Sequence, residues 1–355
     1  MAALPFYLSY LIVPTVIVGQ LIGGIGTFLT VAVVLVAIPF ADLILGKVKA
    51  AEPARGPVQA TAPLAYRLAP ILWVPLQTGL LVWLLIVIAG VPPTPLEFTG
   101  LVLSMGIACG GIGITIAHEL THRPSWFERR LADILMIAVG YHHFCIEHVH
   151  GHHRRVATPE DPATARFGES VYAFFPRVAV MGFISALALE KARLKRRGQG
   201  WFNLRNRVLV GAGATLALYA LILAFAGWHA FVFLIGTSLV AVFLLETINY
   251  NEHYGLMRRE TAPGRYEPAA ARHSWDSGAR LTNWLLFNLQ RHADHHLRAA
   301  VAYPGLALRE GVPQLPAGYA TMFVVAMIPP LWFRLMNPRV EAWRAAQPPL
   351  VPAST

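Results

Sequence analysis

Histidines are the residues of this sequence whose types and spacing could support chemistry. The chain has 14 histidines among 355 residues, and nine of them fall into four short clusters. In the first cluster, HELTH, His118 and His122 are four residues apart, so both imidazoles lie on one face of a helix, as a metal site requires. One such pair alone also fits a zinc protease motif or two ordinary hydrogen-bonded residues.

The other three clusters strengthen the metal interpretation. EHVHGHH repeats the four-residue spacing and adds an adjacent imidazole, NYNEHYGL contains one histidine, and QRHADHH offers three at i, i+3 and i+4. The clustered histidines are His118, His122, His148, His152, His153, His253, His292, His295 and His296. Catalytic zinc is four-coordinate and keeps one position open, so nine imidazoles imply two metal ions. Imidazole suits iron, copper, nickel and zinc, so ligand type leaves the element open.

Acidic residues stand beside the clusters. They are Glu119, Glu147, Glu252 and Asp294. A ligating imidazole commonly donates its second N–H to a carboxylate, so we expect these acids to orient ligands. Direct ligation and proton delivery are the alternatives.

Five histidines lie outside the clustered set, and we expect none of them to bind metal directly. His142 and His150 fall off the helical spacing or face outward, and His143 is a candidate for contact behind the ligands. His229 and His273 fit ordinary surface or hydrogen-bonding residues.

The composition is that of a membrane protein. Hydrophobic residues make up 55% of the chain and charged residues 14%, against about 25% charged in soluble domains. The net charge of +10 comes from Lys and Arg in a few connections, which the positive-inside rule explains better than nucleic-acid binding. Cys109 and Cys145 are far apart, so they form neither a disulfide framework nor a Cys-x-x-Cys motif.

Long apolar segments predict an all-α fold, an integral-membrane six-helix bundle that forms one domain over residues 1–355. Residues 4–41 carry no charge, which is about twice the ~20 residues that one span needs and predicts a helical hairpin. The predicted spans are 6–22, 27–46, 68–90, 98–117, 208–227 and 230–249. The apolar stretches 131–146 and 319–335 are short or interrupted by proline, so we expect interfacial or buried helices there.

Charge in the connections predicts the orientation. The link between the second and third spans contains Lys47, Lys49, Arg55 and Arg67, whereas the short links contain no Lys or Arg. This places both termini and the histidine-rich parts, 118–207 and 250–355, in the cytoplasm of a bacterial cell, beneath its inner membrane. Glu246 lies within the last span, where an ionisable group needs a partner inside the bundle.

The segments HELTHR, EHVHGHHRRVATPEDPATAR, NYNEHYGL and LQRHADHH resemble the histidine boxes of the alkane 1-monooxygenases. Those enzymes belong to the wider membrane fatty-acid desaturase and hydroxylase family, and the resemblance covers most of the chain. It implies a six-helix bundle, two non-haem iron ions held by the nine clustered histidines, and O2-dependent conversion of medium- or long-chain alkanes to primary alcohols. His150 and the pair in Tyr141-His142-His143-Phe144 depart from the family pattern.

The reaction needs electrons from another protein, because the chain has no flavin or nicotinamide fingerprint and no Cys-x-x-Cys pair. The resemblance implies rubredoxin or a ferredoxin, with its reductase. Candidate docking charges are Arg129, Arg130, Arg154, Arg155, Lys191, Arg193, Lys195, Arg196 and Arg197. For the run at 191–197, the alternative is that the charges contact anionic membrane lipid or fix the membrane topology.

Two rival functions and one open structural question remain from the sequence. A desaturase would use the same metal chemistry to remove a second hydrogen, and a metal transporter would place ionisable residues along a path through the membrane. Four glycines precede His118, at 106, 110, 111 and 113. They either leave room for an alkane or allow close helix packing.

Overall fold

The computed structural model describes residues 2–49 and 63–347, and its mostly helical character confirms the predicted all-α class. Within these residues, six helices are long and apolar enough to cross a membrane: Leu4–Ile22, Gly24–Leu45, Leu64–Gly90, Pro95–Thr121, Val171–Lys195 and Arg207–His253. The shorter helices are Trp126–Ala138, Phe144–Glu147, His148–His152, His153–Arg155, Ala271–His273, Arg280–Leu285, His292–Leu297, Tyr303–Gly305, Tyr319–Ala326 and Pro329–Ala345. Strands Glu260–Ala262 and Arg265–Tyr266 pair antiparallel. Arg55, in the link between the second and third predicted spans, lies outside the described residues.

Helix Arg207–His253 is a hairpin and not one straight rod of 47 residues. At Gly227 the backbone leaves the helical region, with a φ of 78° that favours glycine. The hydroxyls of Tyr219 and Ser238, on opposite sides of this break, lie 2.6 Å apart. In a straight helix these two residues would be separated by ~28 Å. The two arms, 207–226 and 228–253, therefore run antiparallel.

Helix Val171–Lys195 is apolar enough to span a membrane, although the sequence predicts that residues 118–207 lie outside it. Its two ends pack at the same end of the hairpin. Near its start, Phe174 packs 5.5 Å from Tyr250, and near its end Glu190 pairs with Arg207 at 2.6 Å. Since both partners lie at the open end of the hairpin, this helix runs across that end of the bundle.

The two stretches expected to be interfacial or buried form short helices at the same end. Residues 131–146 contribute to Trp126–Ala138 and to the turn after it. Residues 319–335 contribute to Tyr319–Ala326 and Pro329–Ala345, which meet at a bend of 118°. Trp332, at the start of the second helix of this pair, packs 4.9 Å from Tyr250.

Three segments of the described chain wind as π-helix: Val33–Ala37, Ala108–Ile114 and His148–His152. Such turns contain an extra residue per turn and occur frequently at functional sites. The first two lie inside membrane-type helices and the third lies inside a histidine cluster, so all three bear on the site below.

Distant carboxylates fix the segments that carry the last histidine cluster. Asp42, at the end of the second apolar helix, accepts the backbone N–H groups of Leu281 and Thr282 at 2.8 and 3.2 Å. Asp276 accepts the N–H of Ala293 at 2.7 Å. In both cases the carboxylate accepts hydrogen bonds from backbone N–H groups in the first turn of a short helix, which would otherwise be unpaired. These hydrogen bonds hold the last histidine cluster against the bundle.

Candidate metal centre

The structure brings the nine clustered histidines together in two groups. Group one contains His118, His122, His148, His153 and His295, and group two contains His152, His253, His292 and His296. Within each group, one ring nitrogen of every histidine lies within 4.8 Å of the others.

The nitrogen spacing fits metal coordination better than hydrogen bonding. His148 Nε2 is 3.0 Å from both His122 Nε2 and His153 Nε2, and in group two the Nε2 atoms of His292 and His296 are 2.9 Å apart. A ring nitrogen offers one proton or one lone pair, so it cannot satisfy two such contacts at once. Two nitrogens bound at right angles, ~2.1 Å from one ion, would be ~3 Å apart.

His118 supplies independent support for the fit. Its Nε2 atom is buried and has no hydrogen-bond partner among the described residues, although its ring lies 4.4 Å from that of His148 and 4.5 Å from that of His295. An unsatisfied buried polar atom costs ~1–3 kcal/mol. A metal ion in group one would give this nitrogen a partner, so the donor set fits a bound metal.

A π-helical turn decides how neighbouring histidines are divided. The four-residue spacing predicts that His148 and His152 lie on one helix face. In this segment the hydrogen bonds span five residues, and it is the Nε2 of His153 that lies beside His148 while His152 joins group two. Helix His292–Leu297 keeps the ordinary spacing for its group-two pair, and its His295 contributes to group one.

Two of the group-two rings face an oxygen atom at their second nitrogen. His253 Nδ1 lies 3.3 Å from the backbone oxygen of His273. His292 Nδ1 lies 3.3 Å from Glu252 Oε1 without hydrogen-bond geometry, and Glu252 accepts a hydrogen bond from the hydroxyl of Tyr319 at 2.9 Å. Contacts of this kind fix the orientation of a ligating ring and raise its basicity.

A third group-two ring is held by Asp161, which the sequence analysis did not single out. Its Oδ2 lies 2.9 Å from His152 Nδ1, and it also accepts the hydroxyl of Thr164 at 2.6 Å. Burial alone would lower the pKa of His152, but the Asp161 carboxylate, together with the nearby Glu147 and Glu246, outweighs burial and raises that pKa. Asp161 is nine residues from its histidine, so proximity in sequence could not reveal it, although it lies in the long segment that carries the family resemblance.

The remaining predicted carboxylates bind arginines. Glu119 pairs with Arg123 at 2.7 Å, Glu147 with Arg155 at 2.7 Å, and Asp294 with Arg309 at 2.6 Å and with Arg298. Among the described residues, no hydrogen bond joins these three carboxylates to a clustered histidine. Among the described residues, Glu252 is the only one of the four predicted acids that lies next to a histidine ring of either group.

The five other histidines lie outside both groups. His142 contacts Asp133 at 2.8 Å, His273 contacts Glu267 at 3.2 Å, His143 packs against Tyr141 and Phe183, His150 is partly exposed and His229 is exposed.

Glu246 has two partners inside the bundle. Its carboxylate accepts the Tyr141 hydroxyl at 2.9 Å and the Asn249 amide at 2.9 Å. It also lines a small polar cavity together with Glu147 and His152. The structure thus satisfies this acid by hydrogen bonds and leaves it next to group two.

An apolar cavity leads from the spanning helices to both groups. Its walls include Val34, Ile38, Ile107, Leu245, Leu285 and Phe323. Its polar end is formed by His118, His148, His292 and Glu252. All three π-helical segments contribute residues to the walls of this cavity.

The glycines before His118 divide between packing and space. An added Cβ at Gly106, Gly110 or Gly113 would collide with a neighbouring residue. At Gly110, for example, it would lie 2.7 Å from the backbone of Ala241. At Gly111 it would meet nothing within 4 Å, and Gly111 lines the apolar cavity. Three of the four positions therefore serve helix packing and one opens the cavity.

Known proteins resemble this chain over most of its length. The family model described as fatty acid desaturase matches residues 92–326. Alkane 1-monooxygenase 2 of Pseudomonas aeruginosa is 42% identical over 325 residues, which are 90% of this chain and 85% of that protein. Alkane 1-monooxygenase 1 of the same species is 42% identical over 87% of this chain and 81% of its own length. The hydroxylase component of a xylene/toluene monooxygenase from Pseudomonas putida is 30% identical over 70% of this chain and 66% of its own length.

Proposed function

The chain belongs to the fatty acid desaturase family and to its alkane 1-monooxygenases, and from this premise we propose that it hydroxylates the terminal methyl group of medium- or long-chain alkanes. The proposed ligands are the nine clustered histidines, which would hold two non-haem iron ions, one in each group. The observation that carries the proposal is the apolar cavity, whose lining includes His118 and His148 of group one and His292 of group two.

The substrate explains why a metal is needed. An unactivated C–H bond has neither a leaving group nor an acidic proton, so side chains cannot attack it by acid–base or nucleophilic chemistry. The bound iron would supply activation of dioxygen. Overall, one alkane, one O2, two electrons and two protons give one primary alcohol and one water.

The protein's own part is to position groups and exclude water. The apolar walls would hold an alkane that has entered from the bilayer, with its end toward the histidines. Asp161 would keep the proton of His152 on Nδ1, which leaves the Nε2 lone pair directed into group two. Glu252 would orient His292 while Tyr319 fixes Glu252.

We further propose that the chain is one domain in a bacterial inner membrane, with both termini and both histidine groups on the cytoplasmic side. The spanning segments would be the first four apolar helices and the two arms of the 207–253 hairpin. The positively charged link between the second and third spans would lie on the same side of the membrane as the histidine groups. Lys47 in this link supports that placement, because its Nζ donates a hydrogen bond to the backbone oxygen of Pro316 at 2.9 Å, next to the histidine-bearing segments.

A fatty-acyl desaturase or hydroxylase of the same family is the alternative, and the description of the matched family model favours keeping it. A metal transporter is disfavoured because the clustered histidines gather at one end of the bundle.

Product analysis with a defined electron supply tests the proposal. The purified protein, loaded with ferrous iron in detergent, would be given NADH, O2 and alkanes of different lengths, with or without rubredoxin and its reductase. We expect 1-alkanols only when the carrier and reductase are present. Steady turnover on NADH alone would contradict the external donor, and alkenes from alkane or acyl substrates would favour the desaturase.

A further inference from the structure

We propose that electrons enter this protein through an arginine-lined cleft beside group two, and that the cleft is the docking site for an acidic electron-carrier protein. The cleft has a volume of about 330 Å³. Its charged walls are Arg258, Arg259, Arg272, Arg344 and Glu267. The inference rests on the proposed function, which requires two external electrons for each alkane oxidised.

The position of the cleft follows from the chain just beyond His253. Residues 256–259 form one wall, the turn Ala271–His273 forms another, and the end of helix Pro329–Ala345 closes it. Arg344 donates to the backbone oxygen of Gly255 at 2.7 Å, which ties the last helix to the segment that follows His253.

One hydrogen bond separates the cleft from a proposed metal ligand. His273 lines the cleft, and its backbone oxygen lies 3.3 Å from His253 Nδ1. An acidic carrier seated in the cleft would thus place its redox centre on the side of group two, away from the cavity that borders His118. Two reduced carriers, each oxidised by one electron, would supply one turnover.

The charges of the cleft favour an acidic partner. Four arginines face a single carboxylate, and Glu267 is already bound by Arg259 at 3.0 Å and Arg272 at 2.6 Å. Arg258 is partly exposed, but two of its guanidinium nitrogens are buried, so it contributes positive charge to the wall of the cleft more than a direct contact. Arg344 is exposed, lies over the ring of Phe167 and, among the described residues, donates hydrogen bonds to a backbone oxygen only. Carboxylates of a partner could pair with Arg344.

Several docking charges expected from the sequence are neutralised within the chain. Arg130 pairs with Asp133 at 2.8 Å, Arg155 with Glu147 at 2.7 Å and Arg193 with Glu190 at 2.7 Å. Lys195, Arg196 and Arg197 are exposed at the end of helix Val171–Lys195. Because they are exposed, those three residues form the rival docking surface. Within the described residues, they contact neither histidine group.

Carrier kinetics with matched variants test the cleft. The variants are Arg344→Gln and Arg258→Gln, with Arg334→Gln as the control on the same final helix. The rival surface is tested with the triple change Lys195→Gln, Arg196→Gln and Arg197→Gln. For each iron-loaded protein, the KM for an acidic rubredoxin would be measured at several salt concentrations, both in detergent and in vesicles that contain anionic lipid. A single turnover after reduction with dithionite reports on folding and chemistry without a carrier.

We expect each cleft variant to raise the KM for rubredoxin about five- to tenfold at low salt and to flatten its salt dependence, with the dithionite-driven alcohol yield unchanged. Arg334→Gln should match the unmodified protein. Unchanged KM values in both cleft variants would overturn the proposal, as would a larger effect of the triple change. An effect seen only in vesicles with anionic lipid would assign the cleft to lipid headgroups and also overturn it. If the unmodified protein made no alcohol after dithionite reduction, the proposed function itself would fail.

Discussion

The two histidine groups are built from different parts of the chain. Group one takes His118 and His122 from the end of a helix that is long and apolar enough to cross a membrane, and His118 and His148 border the apolar cavity. Group two takes His253 and His292, whose second ring nitrogens face a backbone oxygen and a carboxylate. In the described residues, contacts of this kind are confined to group two.

This difference predicts unequal roles for two bound ions. Carboxylate contacts make ligating imidazoles more basic and stabilise a higher oxidation state of a metal, so group two is tuned by the polar side of the protein. Group one has more histidines and, among the described residues, no such contact, and it contributes two histidines to the cavity where an alkane would lie, whereas group two contributes one. The comparison assigns substrate contact mainly to group one and electron delivery to group two.

Removal of a ligand from either group should have the largest effect. Replacement of His118, His148, His253 or His295 with Ala should reduce hydroxylation by more than about 100-fold, because loss of a direct ligand exceeds the 10–100-fold cost of losing its supporting partner. If the groups hold separate ions, each variant should lose about one iron per chain, which elemental analysis would measure. His229→Ala, at an exposed site, is the control. A His295→Ala protein with full activity and two irons would refute the ligand assignment.

Loss of a supporting carboxylate should have a smaller effect that is confined to group two. Asp161→Asn keeps the size of the side chain but removes the charge beside His152, so turnover and iron affinity should fall about 10–100-fold. Glu147→Gln is the matched change, because that acid is adjacent to His148 in sequence but binds Arg155. It should retain its iron. Equal iron loss in both variants, measured by chelator competition, would remove the distinction between the groups.

The sequence could predict which histidines come together, as well as the fold class, because both depend on local patterns. Nine imidazoles at helical spacing and long uncharged segments are visible without a structure. The division of ligands between the groups was not predictable, because it depends on the π turn that places His153 and not His152 beside His148. Asp161 was missed since its contact spans nine residues.

The way in which the helices pack could not be predicted from the sequence either. Helix Val171–Lys195 has the composition of a span, and only its contacts at both ends show that it lies across the bundle. The four glycines before His118 look alike in sequence. Whether a glycine packs a helix or opens a cavity depends on its neighbour in space, and Gly111 alone among these four has none within 4 Å of an added Cβ.

The cavity beside group one can be altered without a change in either group. Gly111→Leu would fill open space, so we expect the longest accepted alkanes to be lost while shorter ones are retained. The preference, measured as a ratio of kcat/KM values, should shift about tenfold or more, since one methylene in an apolar pocket changes discrimination by 10–200-fold. Gly110→Ala is the comparison: it collides with Ala241 and should lower stability instead. An unchanged chain-length profile in an iron-loaded Gly111→Leu protein would exclude this position from the substrate path.

The smallest predicted effect concerns His143 and the pH dependence of stability. It distinguishes loss of folding stability at low pH from release of metal at low pH. His143 is buried and contacts neither group, and burial, together with the neighbouring His142, lowers its pKa to about 4, compared with ~6.5 in an unfolded chain. Between these values the unfolded chain binds a proton that the folded chain does not, so stability falls as pH decreases from ~6.5 to ~4.

At pH 5 this difference destabilises the folded protein by about 2 kcal/mol relative to neutral pH. His143→Phe keeps an aromatic ring but cannot titrate, so its unfolding temperature should fall less between pH 7 and pH 5 than that of the unmodified protein. Its iron release should follow the same pH profile as before, because the ligands are unchanged. If the variant lost stability with pH as steeply as the unmodified protein, His143 would not be the source of the acid sensitivity. If its iron release shifted as well, the separation between the fold and the two groups would be wrong.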